Sequence, residues 1–210
     1  MPGNADKTLQ NSAYLGILGQ EKFMIKVLFI CHGNICRSTM AESVMTYLVK
    51  QAGLEKEFYI NSAATSREEI GNLPHYGTVS RLKQAGIPVV PHRAIQMTAK
   101  DYDDYDYLIG MDSENIRNMN RIAGGDPQGK IYKLLSFADY SDLSNVEHKN
   151  NNEPLHTFPN NKSPISNNKP LKVRDVADPW YTGNFDATFD DVYAGCKGML
   201  EFLGFNGHLN

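Results

Sequence analysis

The feature that most restricts the fold of this chain is an apolar run that ends in an eight-residue turn. Ile25 to Ile30 have the continuous apolar character of a buried strand, and helical spacing resumes after the turn. A strand, a tight glycine-containing turn and a helix N-terminus form an anion site, because backbone N–H groups converge there and the helix dipole favours negative charge. The turn has the sequence Cys31-His32-Gly33-Asn34-Ile35-Cys36-Arg37-Ser38.

Two residues of the turn indicate what the anion site does. Cys31 lies at its start, where positive potential lowers a thiol pKa and produces the thiolate nucleophile. Arg37 follows six residues later, and its planar guanidinium matches two oxygens of a phosphate dianion. A cysteine beneath a bound phosphate predicts covalent phosphoryl transfer through a cysteinyl-phosphate intermediate. Cys-x5-Arg alone is weak, but the complete turn between a strand and a helix is far more specific.

Composition limits the class of protein. The 210 residues suffice for one α/β domain, and a net charge of −3 argues against nucleic acid as a partner. No apolar run approaches the roughly 18 residues of a membrane span, and no secretory signal is evident. Two of the three cysteines lie in the turn, so a disulfide framework is not expected. We therefore expect a cytoplasmic protein of a reducing compartment, without membrane association.

Strand and helix patterns alternate along the chain, which predicts a parallel sheet with a ligand site at the carboxyl ends of its strands. After the turn, Thr39 and Glu42 have the spacing of a capping box. Asp103-Asp104 and Asp190-Asp191 are interpreted as solvated charges, and Cys196 as an inert thiol facing the core. The predicted strands are 25–30, 58–60, 105–111 and 130–135, and the predicted helices are 39–52, 74–84, 112–122 and the one that starts at 186.

Two segments do not fit this alternation. Residues 1–23 are expected to be an N-terminal extension, disordered or tag-like, with Met24 as a candidate natural start. Between Ser141 and Lys172 there are eight Asn and four Pro but few apolar residues, which cannot bury enough surface to offset their ordering entropy. We predict a surface insertion at about 143–172 in a single catalytic domain of residues 24–210.

The complete turn resembles the phosphate-binding loop of the low-molecular-weight protein tyrosine phosphatases, and the resemblance covers roughly residues 24–204 apart from the insertion. It implies a three-layer α/β/α fold with a four-stranded parallel sheet and a phosphate-binding loop after the first strand. It also implies a hydrolase that removes phosphate from phosphotyrosine in proteins, and from small aryl phosphates, without metal or other cofactor. The expected partners are phosphotyrosine proteins or peptides, and the expected state is a monomer or weak dimer.

The resemblance also implies roles for individual residues. Cys31 is the nucleophile, and the phosphate is held by Arg37 and by the loop from His32 to Cys36. Asp178, in an Asp-Pro-aromatic turn before the last helix, matches the family's general acid and would later act as base for the hydrolytic water. The substrate wall would comprise Trp180, Tyr181 and Glu68, although many members have an aromatic residue at the position of Glu68.

A supporting shell around the loop is expected as well. Asn34 tolerates a left-handed conformation at low cost, and Ser38 can donate a hydrogen bond to the Cys31 thiolate. The resemblance implies that Asn34 contacts Ser62 and His92, in a structural role. Thr39 stands where the family usually has proline, with little expected loss. Cys36 lies five residues from Cys31 in a tight loop, so peroxide is expected to join the two in a reversible disulfide.

Three alternatives remain open at this stage. Arginine phosphatases on the same scaffold have threonine before the second loop cysteine, where this chain has Ile35. Thiol-linked arsenate reductases use a distal cysteine pair, whereas Cys196 stands alone here. A catalytically silent phosphate-binding module would use the Asn/Pro-rich insertion as its interaction surface, but intact Cys31, Arg37 and Asp178 argue against it. Cys31, His32 and Cys36 fit no common zinc spacing, so no metal is expected.

Overall fold

The computed structural model describes residues 24–138 and 173–205. The predicted N-terminal extension and the predicted insertion at about 143–172 therefore lie outside the described residues. The elements in chain order are β1 (Ile25–Cys31), α1 (Arg37–Gln51), β2 (Phe58–Ala64), α2 (Tyr76–Gln84), α3 (Ala99–Asp104), β3 (Tyr107–Gly110), α4 (Ser113–Ala123), β4 (Ile131–Lys133), α5 (Leu135–Ala138), α6 (Pro179–Thr182) and α7 (Phe185–Phe202).

The strands form one parallel sheet in the order β2-β1-β3-β4. β1 lies between two neighbours, and Val27 to Ile30 are completely or almost completely buried. A parallel strand covered on both faces has a continuous apolar sequence, which is the pattern of this run. The four-stranded parallel sheet and the α/β class are confirmed.

Alternate residues of β1 face two separate cores. Val27 and Phe29 pack in a large core that α1 and α7 share, whereas Leu28 and Ile30 pack in a smaller one with residues of α3 and α4. Successive side chains of a strand point to opposite faces, so helices cover both faces of the sheet. This arrangement is the expected three-layer α/β/α architecture.

Two glycines bring α7 unusually close to the chain around α5. A Cβ atom on Gly198 would lie 2.1 Å from the carbonyl oxygen of Phe137, and one on Gly195 would lie 2.5 Å from a side-chain carbon of Leu134. Side chains larger than hydrogen at these positions would push the helix away. The position of α7 matters for the site, because this helix also contacts the segment that precedes α6.

Several predicted boundaries were wrong. β2 continues to Ala64, β3 and β4 are shorter than predicted, and the short helices α3, α5 and α6 were not predicted. The capping box of Thr39 and Glu42 is wrong as well, because α1 already begins at Arg37. Thr39 Oγ1 instead donates to the carbonyl oxygen of Cys36 at 3.0 Å, and Glu42 binds a residue of β2.

The interpretation of Asp190-Asp191 as two solvated charges was half wrong. Asp190 is exposed, but Asp191 is only 7% exposed and forms an ion pair with Arg174. Adjacent residues of a helix point about 100° apart, so one faced solvent and the other faced the body of the protein.

Candidate active site

The loop between β1 and α1 folds around the sulfur of Cys31. Asn34 has a φ of 58°, the left-handed conformation that asparagine adopts at low cost. Its backbone N–H donates to Cys31 Sγ at 3.2 Å, so the chain turns back over the sulfur. The left-handed residue expected from the sequence is therefore at the expected position.

Ser38 gives Cys31 a second hydrogen-bond partner. The two atoms Ser38 Oγ and Cys31 Sγ lie 3.0 Å apart, and Ser38 Oγ accepts a hydrogen bond from Asn34 Nδ2 at 3.0 Å. The hydroxyl proton of Ser38 is therefore free to point at the sulfur. Ser38 Oγ and the Asn34 N–H can thus both donate to the sulfur of Cys31.

The side chain of Asn34 lies at the centre of a buried polar network. Its Nδ2 atom also donates to Ser62 Oγ at 2.8 Å, and its Oδ1 atom lies 2.7 Å from His92 Nε2 and accepts from the N–H of Ile95 at 3.0 Å. The structure thus places Ser62 and His92 against Asn34, as the resemblance implied. The amide is bonded on both ends, which fixes the loop conformation around Cys31.

Glu42 completes this network and was missed as a site residue. Its Oε2 atom accepts from Ser62 Oγ at 2.6 Å and lies 3.2 Å from His92 Nδ1. Burial raises the pKa of Glu42 to about 7, the Ser62 hydrogen bond opposing the shift, and burial lowers the pKa of His92. Because His92 Nε2 faces the Asn34 carbonyl oxygen, the pair holds one proton between Nδ1 and Oε2. The sequence signal for Glu42 was its position four residues after Ser38, because residues at this spacing share one face of a helix.

Arg37 is buried between two carboxylates. Its Nη1 atom lies 2.6 Å from Asp112 Oδ2, and its Nη2 atom lies 2.6 Å from Asp178 Oδ2. Burial by itself would lower the pKa of Arg37, but the charges of Cys31, Asp178 and Asp112 raise it overall. The guanidinium is therefore permanently charged and held in one plane beside the loop.

Asp112 is a second site residue that the sequence analysis missed. It is the N-cap of α4, and its Oδ1 atom accepts from the N–H of Asn115 at 2.6 Å. It follows β3 closely, at the carboxyl edge of a parallel sheet, where ligand sites are expected. That position, rather than any motif, was the signal.

Asp178 reaches the site from far along the chain. It caps α6, its Oδ1 atom accepts from the N–H of Trp180 at 3.0 Å, and its Oδ2 atom contacts Arg37. Pro179 occupies the first position of this helix, where the fixed φ of proline suits the helical conformation. Cys31, Arg37 and Asp178, predicted to act together, are thus brought to one place.

A groove of about 560 Å³ adjoins the loop at Ile35. Trp180 and Glu69 are among the residues that line this groove. The side chain of Trp180 is 62% exposed. Glu68, expected in this wall, instead lies 3.1 Å from the exposed His32 side chain, and Tyr181 is almost fully exposed. His75 also lines the groove and stacks on Phe185 with ring centroids 5.2 Å apart.

The remaining thiols differ from Cys31 in their surroundings. Burial and the neighbouring Cys31 raise the pKa of Cys36 to about 12. Burial also raises the pKa of Cys196, which is completely buried on α7. Both are therefore protonated at neutral pH, in keeping with the inert role expected for Cys196.

Two other kinds of site are absent from the described residues. Within 24–138 and 173–205, no three His, Cys, Asp or Glu side chains cluster as metal ligands would. Over the same residues, no helix is long and apolar enough to cross a membrane.

This fold and this loop define the class of cysteine-dependent phosphatases. The family model "Low molecular weight phosphotyrosine protein phosphatase" matches residues 26–158, and the chain belongs to that family. It is 36% identical to the low molecular weight protein-tyrosine-phosphatase YfkJ of Bacillus subtilis over 86% of this chain and 96% of that protein. It is 43% identical to the low molecular weight phosphotyrosine protein phosphatase of Saccharomyces cerevisiae over 58% of this chain and 73% of that protein. The crystal structure of YfkJ superimposes with a TM-score of 0.66 at 35% identity, covering 85% of this chain and 93% of that one.

Proposed function

We propose that the protein hydrolyses phosphotyrosine in proteins and peptides through a phosphorylated Cys31. The observation that carries this proposal is the double contact of Arg37. A phosphate-binding guanidinium from the Cys31 loop directly touches the carboxylate of Asp178. Arg37 therefore links the loop that carries the nucleophile, Cys31, to the proton donor, Asp178. The named relatives are tyrosine phosphatases, which supports phosphotyrosine as the substrate.

The first chemical step transfers the phosphoryl group to sulfur. The loop N–H groups and Arg37 bind the phosphate oxygens, and the Cys31 thiolate attacks phosphorus. An S–P bond forms and the P–O bond to the tyrosyl oxygen breaks. Protonated Asp178 donates its proton to that oxygen, so neutral tyrosine leaves.

The second step hydrolyses the cysteinyl phosphate. Asp178, now a carboxylate, accepts a proton from a water molecule that attacks phosphorus. The S–P bond breaks, inorganic phosphate is released and Cys31 returns as a thiolate. Ser38 and the Asn34 N–H donate to the leaving sulfur, which makes it a better leaving group.

Substrate and Asp178 compete for the same side of Arg37. A bound phosphate dianion needs the Nη2 edge that contacts Asp178 Oδ2, whereas Asp112 holds the Nη1 edge. Because Asp112 stays in place, Arg37 keeps its orientation while Asp178 turns to the leaving oxygen. Asp112 thus provides the orientation that bidentate phosphate binding requires.

The groove provides the surroundings of the phosphotyrosine. Trp180 offers an aromatic surface to a flat ring, and Glu69 and Arg93, which carry opposite charges, are among the other lining residues. Glu68 does not line the groove and pairs with His32 instead.

Nothing in the described residues favours the alternatives. Ile35, where arginine phosphatases have threonine, is buried and apolar. Cys196, the one cysteine outside the loop, is completely buried, so it is poorly placed to resolve an arsenate adduct. A silent module would have no use for the hydrogen bonds that activate Cys31.

The experiment is a side-by-side turnover assay on phosphotyrosine, phosphoserine and phosphoarginine peptides, with and without a chelator, plus a thiol-dependent arsenate assay. We expect turnover of phosphotyrosine alone, unchanged by the chelator. Faster turnover of phosphoarginine, or arsenate reduction, would replace the proposed substrate. Loss of activity with the chelator would contradict the metal-independent mechanism.

Assembly and location stay predictions. We propose a monomer or weak dimer that acts in the cytoplasm. The net charge of −3 supports a partner other than nucleic acid. Sedimentation analysis over a range of protein concentrations tests the first part, and fractionation of the source cells tests the second.

A further inference from the structure

Asp178 is carried by a short segment, Val173–Asp178, that has no regular secondary structure of its own. Its attachment comes from side chains elsewhere in the fold. Lys133 Nζ donates to the carbonyl oxygen of Val173 at 2.9 Å and lies 2.6 Å from an Asp175 oxygen. The N–H of Val176 donates to the carbonyl oxygen of Met111 at 2.9 Å. These bonds hold the first part of the segment against the sheet edge.

The last peptide units before Asp178 are held by α7. The N–H of Ala177 donates to Asp191 Oδ2 at 3.0 Å, and its carbonyl oxygen accepts from Thr188 Oγ1 at 2.8 Å. Thr188 and Asp191 are three residues apart, so they lie on one face of the helix. The residue immediately before Asp178 is therefore bonded at both its N–H and its C=O.

The burial of Asp191 is unusual for a residue of its type. A buried carboxylate costs free energy unless hydrogen bonds or an opposite charge compensate it, and an apolar residue would pack there at lower cost. Its other oxygen, Oδ1, contacts Arg174, which belongs to the same segment. Both oxygens of the Asp191 carboxylate thus contact residues of the segment Val173–Asp178, whereas the neighbouring Asp190 is exposed.

We propose that Asp191 is a positioning residue for the proton transfer of Asp178, with Thr188 as its partner. This proposal rests on the phosphatase mechanism proposed above. By fixing the Ala177 backbone, the two side chains set where the Asp178 carboxyl lies when it leaves Arg37 for the tyrosyl oxygen. A displacement of about 1 Å in such a group can cost about 100-fold in rate. The loop can still bind phosphate when the segment shifts, because Cys31 keeps its contacts with Ser38 and Asn34, and Arg37 keeps its ion pair with Asp112.

The test compares two substrates in the variant Asp191→Ala. For a phosphotyrosine peptide, kcat/KM falls about 10- to 100-fold, because the poor leaving group needs the proton. For dinitrophenyl phosphate, whose oxygen leaves without a proton, kcat/KM stays within about threefold. Inorganic phosphate still inhibits the variant, because Asp112 continues to hold Arg37 beside the loop. Asp190→Ala, at the exposed neighbour, is the matched control and changes neither substrate.

Coupling to Asp178 separates positioning from a general structural defect. In the double variant Asp191→Ala/Asp178→Asn, the loss on phosphotyrosine equals that of Asp178→Asn alone, because there is no acid left to position. Losses that multiply, or an Asp191→Ala defect of equal size on both substrates, would overturn the proposal. If Asp178→Asn itself fails to distinguish the substrates, the assignment of the acid is wrong and the mechanism above falls instead.

Thr188→Val provides a second route should Asp191→Ala fold poorly. It keeps the shape of a completely buried side chain but removes the donor to the Ala177 carbonyl oxygen. The same selective loss on phosphotyrosine is expected, at about 3- to 10-fold, since one bond of the two remains. A Thr188→Val protein with wild-type kcat/KM on both substrates would contradict the role of α7.

Discussion

The loop Cys31–Ser38 and the segment Val173–Asp178 supply the two halves of the reaction, and they are held in different ways. In the loop, the sulfur of Cys31 is bonded by residues three and seven positions along the chain. In the segment, the Ala177 N–H reaches 14 residues ahead, to Asp191, and Asp175 is bonded by Ser113, 62 residues before it. The nucleophile is thus organised largely by its own neighbours, and the acid by the rest of the fold.

This difference predicts two kinds of functional defect. Damage to the loop removes the nucleophile or the phosphate ligand, which every substrate needs. Damage to the segment moves the proton donor, which only a poor leaving group needs. Variants of the two regions should therefore be distinguishable by the leaving group of the substrate.

The largest effect is expected in the loop. Cys31→Ser or Arg37→Ala should abolish turnover of phosphotyrosine and of activated aryl phosphates alike, by several powers of ten, because each removes a group that the transition state requires. Steady-state assays on both substrates measure this, with circular dichroism to confirm folding. A Cys31→Ser protein of near-wild-type activity would disprove the covalent mechanism.

The next effect is expected in the segment. Asp178→Asn should lower kcat/KM for phosphotyrosine by about 100- to 10,000-fold, the range of general acid catalysis, and that for dinitrophenyl phosphate much less. Asparagine keeps the shape of the cap on α6, so the structural consequences are small. Equal losses on the two substrates would show that the two regions do not divide the chemistry in this way.

Glu42 tests how far the loop depends on the surrounding fold. A carboxyl whose pKa is raised to about 7 in the folded protein stabilises it below the ordinary pKa of 4.5, and that contribution is lost as the pH rises through 7. Relative to Glu42→Gln, the wild type should lose up to about 3 kcal/mol of unfolding free energy between these pH values. Urea unfolding at several pH values measures the difference. A difference that is independent of pH would mean that Glu42 is ionised throughout this range.

The smallest effect on basal activity is expected for Cys36→Ser. Peroxide oxidises Cys31 to a sulfenic acid, which condenses with the Cys36 thiol, releasing water and forming a disulfide that a dithiol reduces. Oxidation removes the negative charge of Cys31, one of the causes that raise the pKa of Cys36. Cys36→Ser should retain much of its activity yet fail to recover it with dithiol after peroxide. Recovery as complete as that of the wild type would make Cys36 a packing residue only.

The loop could be identified from the sequence because the residues that define it are adjacent in the chain. Strand, turn and helix follow one another within 27 residues, Ile25 to Gln51, and the residues that contact Cys31 are among its near neighbours. Asp178 was assigned as the acid through the family resemblance, because an Asp-Pro-aromatic turn taken alone is ordinary turn chemistry. Ser62 and His92 came only from the family resemblance, since nothing near them in the chain indicates their partner.

Only the tertiary structure revealed the roles of three carboxylates, Glu42, Asp112 and Asp191. The sequence analysis assigned Glu42 to a capping box, Asp112 to the start of a helix and Asp191 to a solvated pair, because local spacing does not reveal which buried partner a side chain will meet. Asp112 meets Arg37 because β1 and β3 are neighbours in the sheet. Asp191 meets Ala177 because α7 packs against the segment that precedes α6. The chemistry of the reacting groups was therefore determined by the sequence alone, whereas the carboxylates that orient them depend on strand order and helix packing, which result from burial over the whole chain.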